Sequence, residues 1–406
     1  MNLHLKLRWW DVARENTRRK AVAVTILIVA AVGVGTWIWI RTSIDRRWTR
    51  MERRIEQLRA EWESRPPERP LLRGGESVPG NAWDDYARAL ALDLGSHVAV
   101  LDAFAARSEK AEVLKVVPVV RSAIPALEAL QKGARRSGCR TPVEWERGSM
   151  MTRPDVGKGR LLVQLGVCRA RLLQEEARSG EAVDLLLDCC QFARDFGHDG
   201  SFPVDGWTPI FLGRPLEELA RHLTSSGQER LPEIARAMEA LDDTLPKPGE
   251  TLRKNLLCWG YTFLFQREEL PETIHGIKPD WRVLYSWRLQ QMDAFDVLDD
   301  LIRPAPVGRM STVEGNQLEA KAVQIMDTTR NPLVKYVVEE TISATPLALK
   351  ALLRLRLIRI VAAWRATGEK LDLPDLGTQR IQVEERDGTL RAWSSTLKDV
   401  SIDARR

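Results

Sequence analysis

The densest gathering of reactive side chains lies between residues 189 and 207, where Cys189, Cys190, His198 and Asp199 are followed by Ser201, Asp205 and Trp207 in the segment HDGSFPVDGW. Thiolate, imidazole and carboxylate are the donors a zinc site uses. Adjacent cysteines on a helix point about 100° apart, so both cannot easily face one ion. The cysteines therefore read as core residues and the histidine as the start of a loop. That loop, with His198, Asp199, Ser201, Asp205 and Trp207, is the candidate ligand or partner site, because it gathers polar and aromatic groups between two helical hairpins, where connections carry binding function. It lacks the alternating acids and closing glutamate of a calcium loop.

Other chemistry finds little support. The histidines His4, His97, His198, His222 and His275 form no i, i+4 zinc pair. Gly157-Lys158-Gly159-Arg160 precedes a helix, but GxxxxGK[ST] is missing and no apolar strand leads into it. GxSxG is absent, and the acid pairs Glu175-Glu176, Asp242-Asp243, Asp299-Asp300 and Glu339-Glu340 are neighbours in sequence, hence splayed on a helix. The expectation is no enzyme, no catalytic residue, no metal and no cofactor.

The strongest signal is Ala21 to Ile40, AVAVTILIVAAVGVGTWIWI, twenty residues without a charge. At about 1.5 Å per helical residue they cover the ~30 Å hydrocarbon layer, and Trp37 and Trp39 suit its boundary. The alternatives are a buried core helix, which rarely runs so long without a charge, and a cleaved signal sequence. A signal sequence has a shorter apolar region followed by a small-x-small site; here the run continues into Trp-Ile-Trp-Ile-Arg. The expectation is an uncleaved single-pass anchor.

Both flanks are basic. Lys6, Arg8, Arg14, Arg18, Arg19 and Lys20 precede the run and Arg41, Arg46, Arg47, Arg50, Arg53, Arg54 and Arg59 follow it, so most of the formal charge of +5 is membrane-proximal. This suits anionic headgroups and excludes a nucleic-acid face. Arg18-Arg19-Lys20 favours a cytoplasmic N-terminus, which puts the body outside the cytoplasm of a bacterial inner membrane. Five cysteines without CxxC argue against a disulfide framework, and their odd number sits awkwardly in an oxidising compartment.

Read in order, residues 1–20 form a cytoplasmic tail and 41–62 a juxtamembrane helix. There Ile44, Trp48, Met51, Ile55, Leu58 and Trp62 recur every three or four positions, the period of a coiled-coil seam. The seam predicts a parallel homodimer through 44–62; the alternative is a stripe packed on the chain's own globular part or on headgroups. Residues 63–80, rich in proline and glycine, read as a linker with little to bury. The body, 81–370, reads as helices near 81–90, 97–113, 115–132, 159–178, 181–196, 208–225, 228–243, 248–269, 281–302, 314–328 and 332–366, with Asn81 as an N-cap. Segment 332–366 is apolar on nearly all sides and is read as a central helix with arginines reaching the surface; the rival is a membrane-surface helix. In 371–406, alternation around Asp387-Gly388 predicts a β-hairpin.

Segments 159–178 and 181–196 meet at Ser179-Gly180, and 208–225 and 228–243 at Ser226-Gly227, giving two expected antiparallel hairpins. In shape alone this resembles tetratricopeptide or HEAT-like repeats, and no functional residue carries over from the likeness. The fold class expected is all-α with a transmembrane helix, a stalk, a helical-hairpin body and a small C-terminal hairpin. The function expected is a membrane-anchored module that binds or scaffolds protein partners; a membrane-tethered hydrolase is the alternative.

Overall fold

Strong helix formers at helical spacing, broken by proline and glycine, fold as helices over most of this chain. The computed structural model describes residues 3–64, 69–91, 100–101, 104, 110–143, 145, 155–198, 204–224, 230–245, 248–265, 284–303, 312–342, 345–373, 380–395 and 400–405. Two compact units divide between Arg54 and Ile55.

Helix α1 (Leu3–Glu63) makes up the first unit and runs on into the second. Every side chain from Ala21 to Ile40 is exposed, Leu27 at 68% and Trp39 at 69%. The two hydroxyls of the run are satisfied within the helix, Thr25 Oγ1 donating to the Ala21 carbonyl at 2.9 Å and Thr36 Oγ1 to that of Val32 at 2.8 Å. Neither hydroxyl of the run is left needing water. Among the described residues this is the one helix long and apolar enough to cross a membrane.

The second unit starts with a short parallel pair, β1 (Val78–Asn81) and β2 (Arg136–Gly138). Between them lie α2 (Ala82–Leu90), α3 (Lys110–Ser122) and α4 (Ile124–Ala134). Asn81 caps α2, its side chain accepting from the Trp83 N–H at 3.3 Å. The helix expected over 115–132 is broken at Ala123, because Pro125 fits only the first turn of a new helix.

Next come α5 (Val156–Glu175), α6 (Ser179–His198), α7 (Val204–Thr224) and α8 (Leu231–Thr244). Helix α6 packs on α4, α5 and α7. At Gly166 of α5 a Cβ would overlap Cys189 Sγ of α6, so glycine is what lets these two helices come together. The first expected hairpin, α5 with α6, is present. The second is not: α7 and α8 each pack on α13 (Thr345–Thr367) rather than on one another. The segment 332–366 is itself two helices, α12 (Pro332–Ile342) and α13, with Pro346 in the first turn of α13. The apolar surface of α13 exceeds what one neighbour can cover, and inserting it between α7 and α8 buries Leu353, Leu357, Ile358, Val361 and Trp364. Its arginines do not all reach the surface: Arg356 is buried and pairs with Asp242 of α8 at 3.2 Å.

Helices α9 (Pro248–Phe265), α10 (Leu284–Ile302), α11 (Thr312–Thr328) and α12 form a second packing group. The expected C-terminal hairpin is there, as β3 (Ile381–Arg386) and β4 (Thr389–Ser394) in antiparallel register, joined by Asp387 and Gly388 with φ of 48° and 71°. Two successive positive φ values are those of a type I′ turn, whose twist matches the strands. A third strand, β5 (Ser401–Arg405), pairs with β4, and the buried Leu390, Ala392, Ile402 and Ala404 face α13.

Candidate functional site

Helix α6 is buried on almost every side, with Val183, Leu186, Leu187, Cys190, Ala193 and others in the core, yet it carries Asp184, Asp188, Gln191 and Asp195 at successive spacings of 4, 3 and 4. That spacing puts all four on one stripe. A buried polar line is costly unless every group finds a partner. Most partners come from residues 69–73, within the segment 63–80 expected to bury little.

The contacts run along the stripe in order. Arg73 reaches Asp184 at 2.6 Å and Asp188 at 3.2 Å. The Leu72 N–H donates to Gln191 Oε1 at 2.8 Å while its side chain is fully buried. Gln191 Nε2 donates to Asp195 Oδ1 at 3.1 Å, and Tyr86 of α2 donates its hydroxyl to Asp195 Oδ2 at 2.7 Å. Arg69 completes the group, 3.1 Å from Asp195 and donating to the Gly133 carbonyl of α4 at 2.9 Å. Arg194 donates to the Pro70 carbonyl at 3.3 Å. Residues 69–73 therefore act as a strap whose two arginines are gripped by three carboxylates of α6.

The electrostatics follow from burial. Burial pushes the Asp188 carboxyl up to about 7 against the pull of Arg73 and Arg135. Asp184 is raised in the same way, with Arg73 and Arg230 opposing. The Tyr86 hydroxyl is held well above its ordinary value by burial and by Asp195. Burial likewise pushes up the Cys189 and Cys190 thiols, which keeps them protonated and makes them poor metal ligands. Among the described residues no three His, Cys, Asp or Glu side chains gather as a metal site.

Asp188 has the pKa of an acid–base catalyst at neutral pH, but it is 1% exposed and engaged with Arg73. The chemistry this arrangement can perform is a grip: protonating Asp188 removes one of the two carboxylates that hold Arg73.

The loop read as a ligand site falls outside what is described. Asp199 and Ser201 lie outside the described residues; His198 ends α6 and Asp205 and Trp207 begin α7, their side chains outside the description as well. In the seam, Ile44, Trp48, Met51, Ile55 and Leu58 are buried and Trp62 is half-buried. Within the second unit Ile55 and Phe295 both lie against Gly260, and Lys254 Nζ stands 5.0 Å over the Trp62 ring. Tyr261 ties the same stretch down, donating to Glu56 Oε1 at 2.9 Å and accepting from Arg59 at 3.2 Å. The stripe on α6 went unread although its signal is in the sequence, as polar residues every three or four positions within AVDLLLDCCQFARDF. No known family model matches this chain, and comparison with curated proteins and with solved structures gives no match.

Proposed function

We propose that this chain is a single-pass membrane protein whose helical body binds or scaffolds protein partners. The observation that carries the reading is the exposure of every side chain from Ala21 to Ile40 beside a body that buries its own apolar residues. Twenty apolar residues left in water would cost far more than an ordinary surface tolerates, and lipid is the solvent that removes the cost. The scaffolding part is supported by how the body uses its buried acids: Asp184, Asp188 and Asp195 are spent on a structural clasp. The basic cluster Arg18-Arg19-Lys20 supports a cytoplasmic N-terminus and a body outside the cytoplasm of a bacterial inner membrane. A parallel homodimer through 44–62 would have to displace Gly260 from Ile55.

The second reading is a membrane-tethered hydrolase, favoured by the near-neutral carboxyl of Asp188. Photoreactive residues at the exposed positions Arg121, Glu128, Arg160 and Arg221 of the full chain separate the two. Discrete adducts of one mass from a subset of these positions, with no ester or amide turnover that Asp188→Asn abolishes, support the scaffold. Turnover lost in Asp188→Asn, with no adduct at any position, supports the hydrolase.

A further inference from the structure

Immediately beyond the apolar run, α1 presents two unlike faces. Ile44, Trp48 and Met51 are buried, while Thr42, Asp45, Arg46, Thr49, Arg50 and Arg53 line one open, shallow groove on the opposite side. Arg46, Arg50 and Arg53 fall at i, i+4 and i+7, so their guanidinium groups lie along one line of the helix. All three are exposed, and among the described residues none is held in an ion pair. Other arginines of the chain differ in this, Arg69, Arg73, Arg136, Arg178, Arg230 and Arg356 each gripping a carboxylate. The groove contains a single acid, Asp45, so its net charge is positive.

Position selects the ligand. Counting about 1.5 Å per residue from Ile40, Arg46 stands about 9 Å, Arg50 about 15 Å and Arg53 about 20 Å beyond the end of the apolar run. Headgroups add roughly 5–8 Å to each side of the hydrocarbon layer, and an arginine's fork reaches phosphate in two parallel hydrogen bonds. Arg46 thus lies within reach of headgroup phosphates, Arg50 lies at their outer edge, and Arg53 acts through the surface potential, which extends about 8 Å at physiological salt. At the same boundary Arg41 stacks over the Trp37 ring at 5.3 Å, which turns that guanidinium toward the ring.

We propose that Arg46, Arg50 and Arg53 form a binding stripe for anionic phospholipid headgroups in the leaflet at the C-terminal end of the apolar run. The stripe selects the lipids that surround the anchor and fixes its depth. It rests on the membrane-anchor reading given above.

The test uses the full chain in phosphatidylcholine vesicles doped with phosphatidylglycerol, with bromine on the acyl chains of one lipid or the other. Trp37 and Trp39 report which lipid is nearby. The stripe predicts that brominated phosphatidylglycerol quenches about three- to tenfold more than its bulk share allows. The excess falls toward the bulk share in R46Q/R50Q/R53Q, and it shrinks at 1 M salt, where the Debye length drops to about 3 Å. Single variants rank R46Q above R50Q above R53Q. The control R386Q/R391Q/R405Q removes the same charge from the C-terminal sheet and leaves the excess unchanged. No excess in the wild-type chain, an unchanged excess in the triple variant, or equal effects of the three single variants overturns the proposal, the last pointing to a soluble anionic partner. Release of the chain from these vesicles by carbonate would instead overturn the anchor itself, so the two failures are told apart.

Discussion

Two sets of arginines in this chain are alike in side chain and opposite in circumstance. Arg46, Arg50 and Arg53 stand exposed on α1 with no ion pair among the described residues, whereas Arg69 and Arg73 are drawn against α6 and Arg194 reaches from α6 to the strap, the Arg69 and Arg194 side chains being buried. A guanidinium in the low-dielectric interior is tolerated only with a carboxylate beside it, and its value to stability is mostly the penalty incurred when that partner is taken away. A guanidinium in water is indifferent to folding and remains free to meet an anion from outside. The same residue type thus fastens a strap in one place and faces outward in the other.

The contrast is broken most severely at Asp195. Asp195→Ala leaves Arg69 buried without its partner and removes the acceptor of Tyr86, and it is expected to destabilise the body by about 3–5 kcal/mol in thermal or denaturant unfolding. R69M/D195L removes both charges together and is expected to cost clearly less than Asp195→Ala alone. Equal losses would mean that the strap is held by its apolar contacts and not by charge.

Leu72→Ala measures those apolar contacts. Its side chain is fully buried among the core residues, so truncation is expected to cost about 2–4 kcal/mol while leaving the hydrogen bond from its N–H to Gln191 in place. A loss under about 1 kcal/mol would show that the strap packs loosely.

An effect of comparable size is expected from pH. Burial raises the Asp188 carboxyl from its ordinary 3.8 to about 7, so the folded body holds this proton more tightly than the unfolded chain does. Its contribution to stability is therefore complete below about pH 4 and is lost as pH rises through about 7. Arg73, Arg135 and the neighbouring Asp184 are the charges facing it. In Asp188→Asn this decline should be missing, and the difference between the two proteins should have a slope of at most about 1.4 kcal/mol per pH unit. Parallel stability curves from pH 4 to pH 8 would contradict a protonated Asp188 in the fold.

The smallest effect is expected at the other set. R46Q/R50Q/R53Q should change unfolding stability by no more than about 0.5 kcal/mol, because these side chains hold no ion pair among the described residues. A loss of 2 kcal/mol or more would place them in the fold after all and erase the distinction drawn above.

What could be read from the sequence follows from how local each signal is. The apolar run, the Asn81 cap and the Asp387-Gly388 turn each depend on a few neighbouring residues, and each is found where its residues stand. The third strand was missed because Ser401–Arg405 is short and its meaning depends on β4 being beside it. The hairpin expected from 208–225 and 228–243 failed for a related reason, since the intervening helix α13 comes from more than one hundred residues further along. The strap is not legible in the sequence, because proline and glycine signal a loop but do not say what the loop covers. Only the polar stripe on α6 hints that something must come to satisfy it, and its partners Arg69 and Arg73 are more than one hundred residues away. The loop with His198 and Asp205 is legible because its polar residues are adjacent in sequence, whereas the residues of the clasp that the fold assembles are not.

The central claim is that Ala21 to Ile40 lies in lipid and remains part of the mature chain. Alkaline carbonate washing of membranes, read by intact mass on the full chain and on I28R/V32R, tests it directly. Each arginine at the centre of a span costs about 2.5–3.5 kcal/mol on the insertion scale, so the account predicts that the wild-type chain stays with the membrane at full mass and the double variant is released. Release of the intact wild-type chain, or a retained chain whose mass begins beyond Ile40, would contradict it.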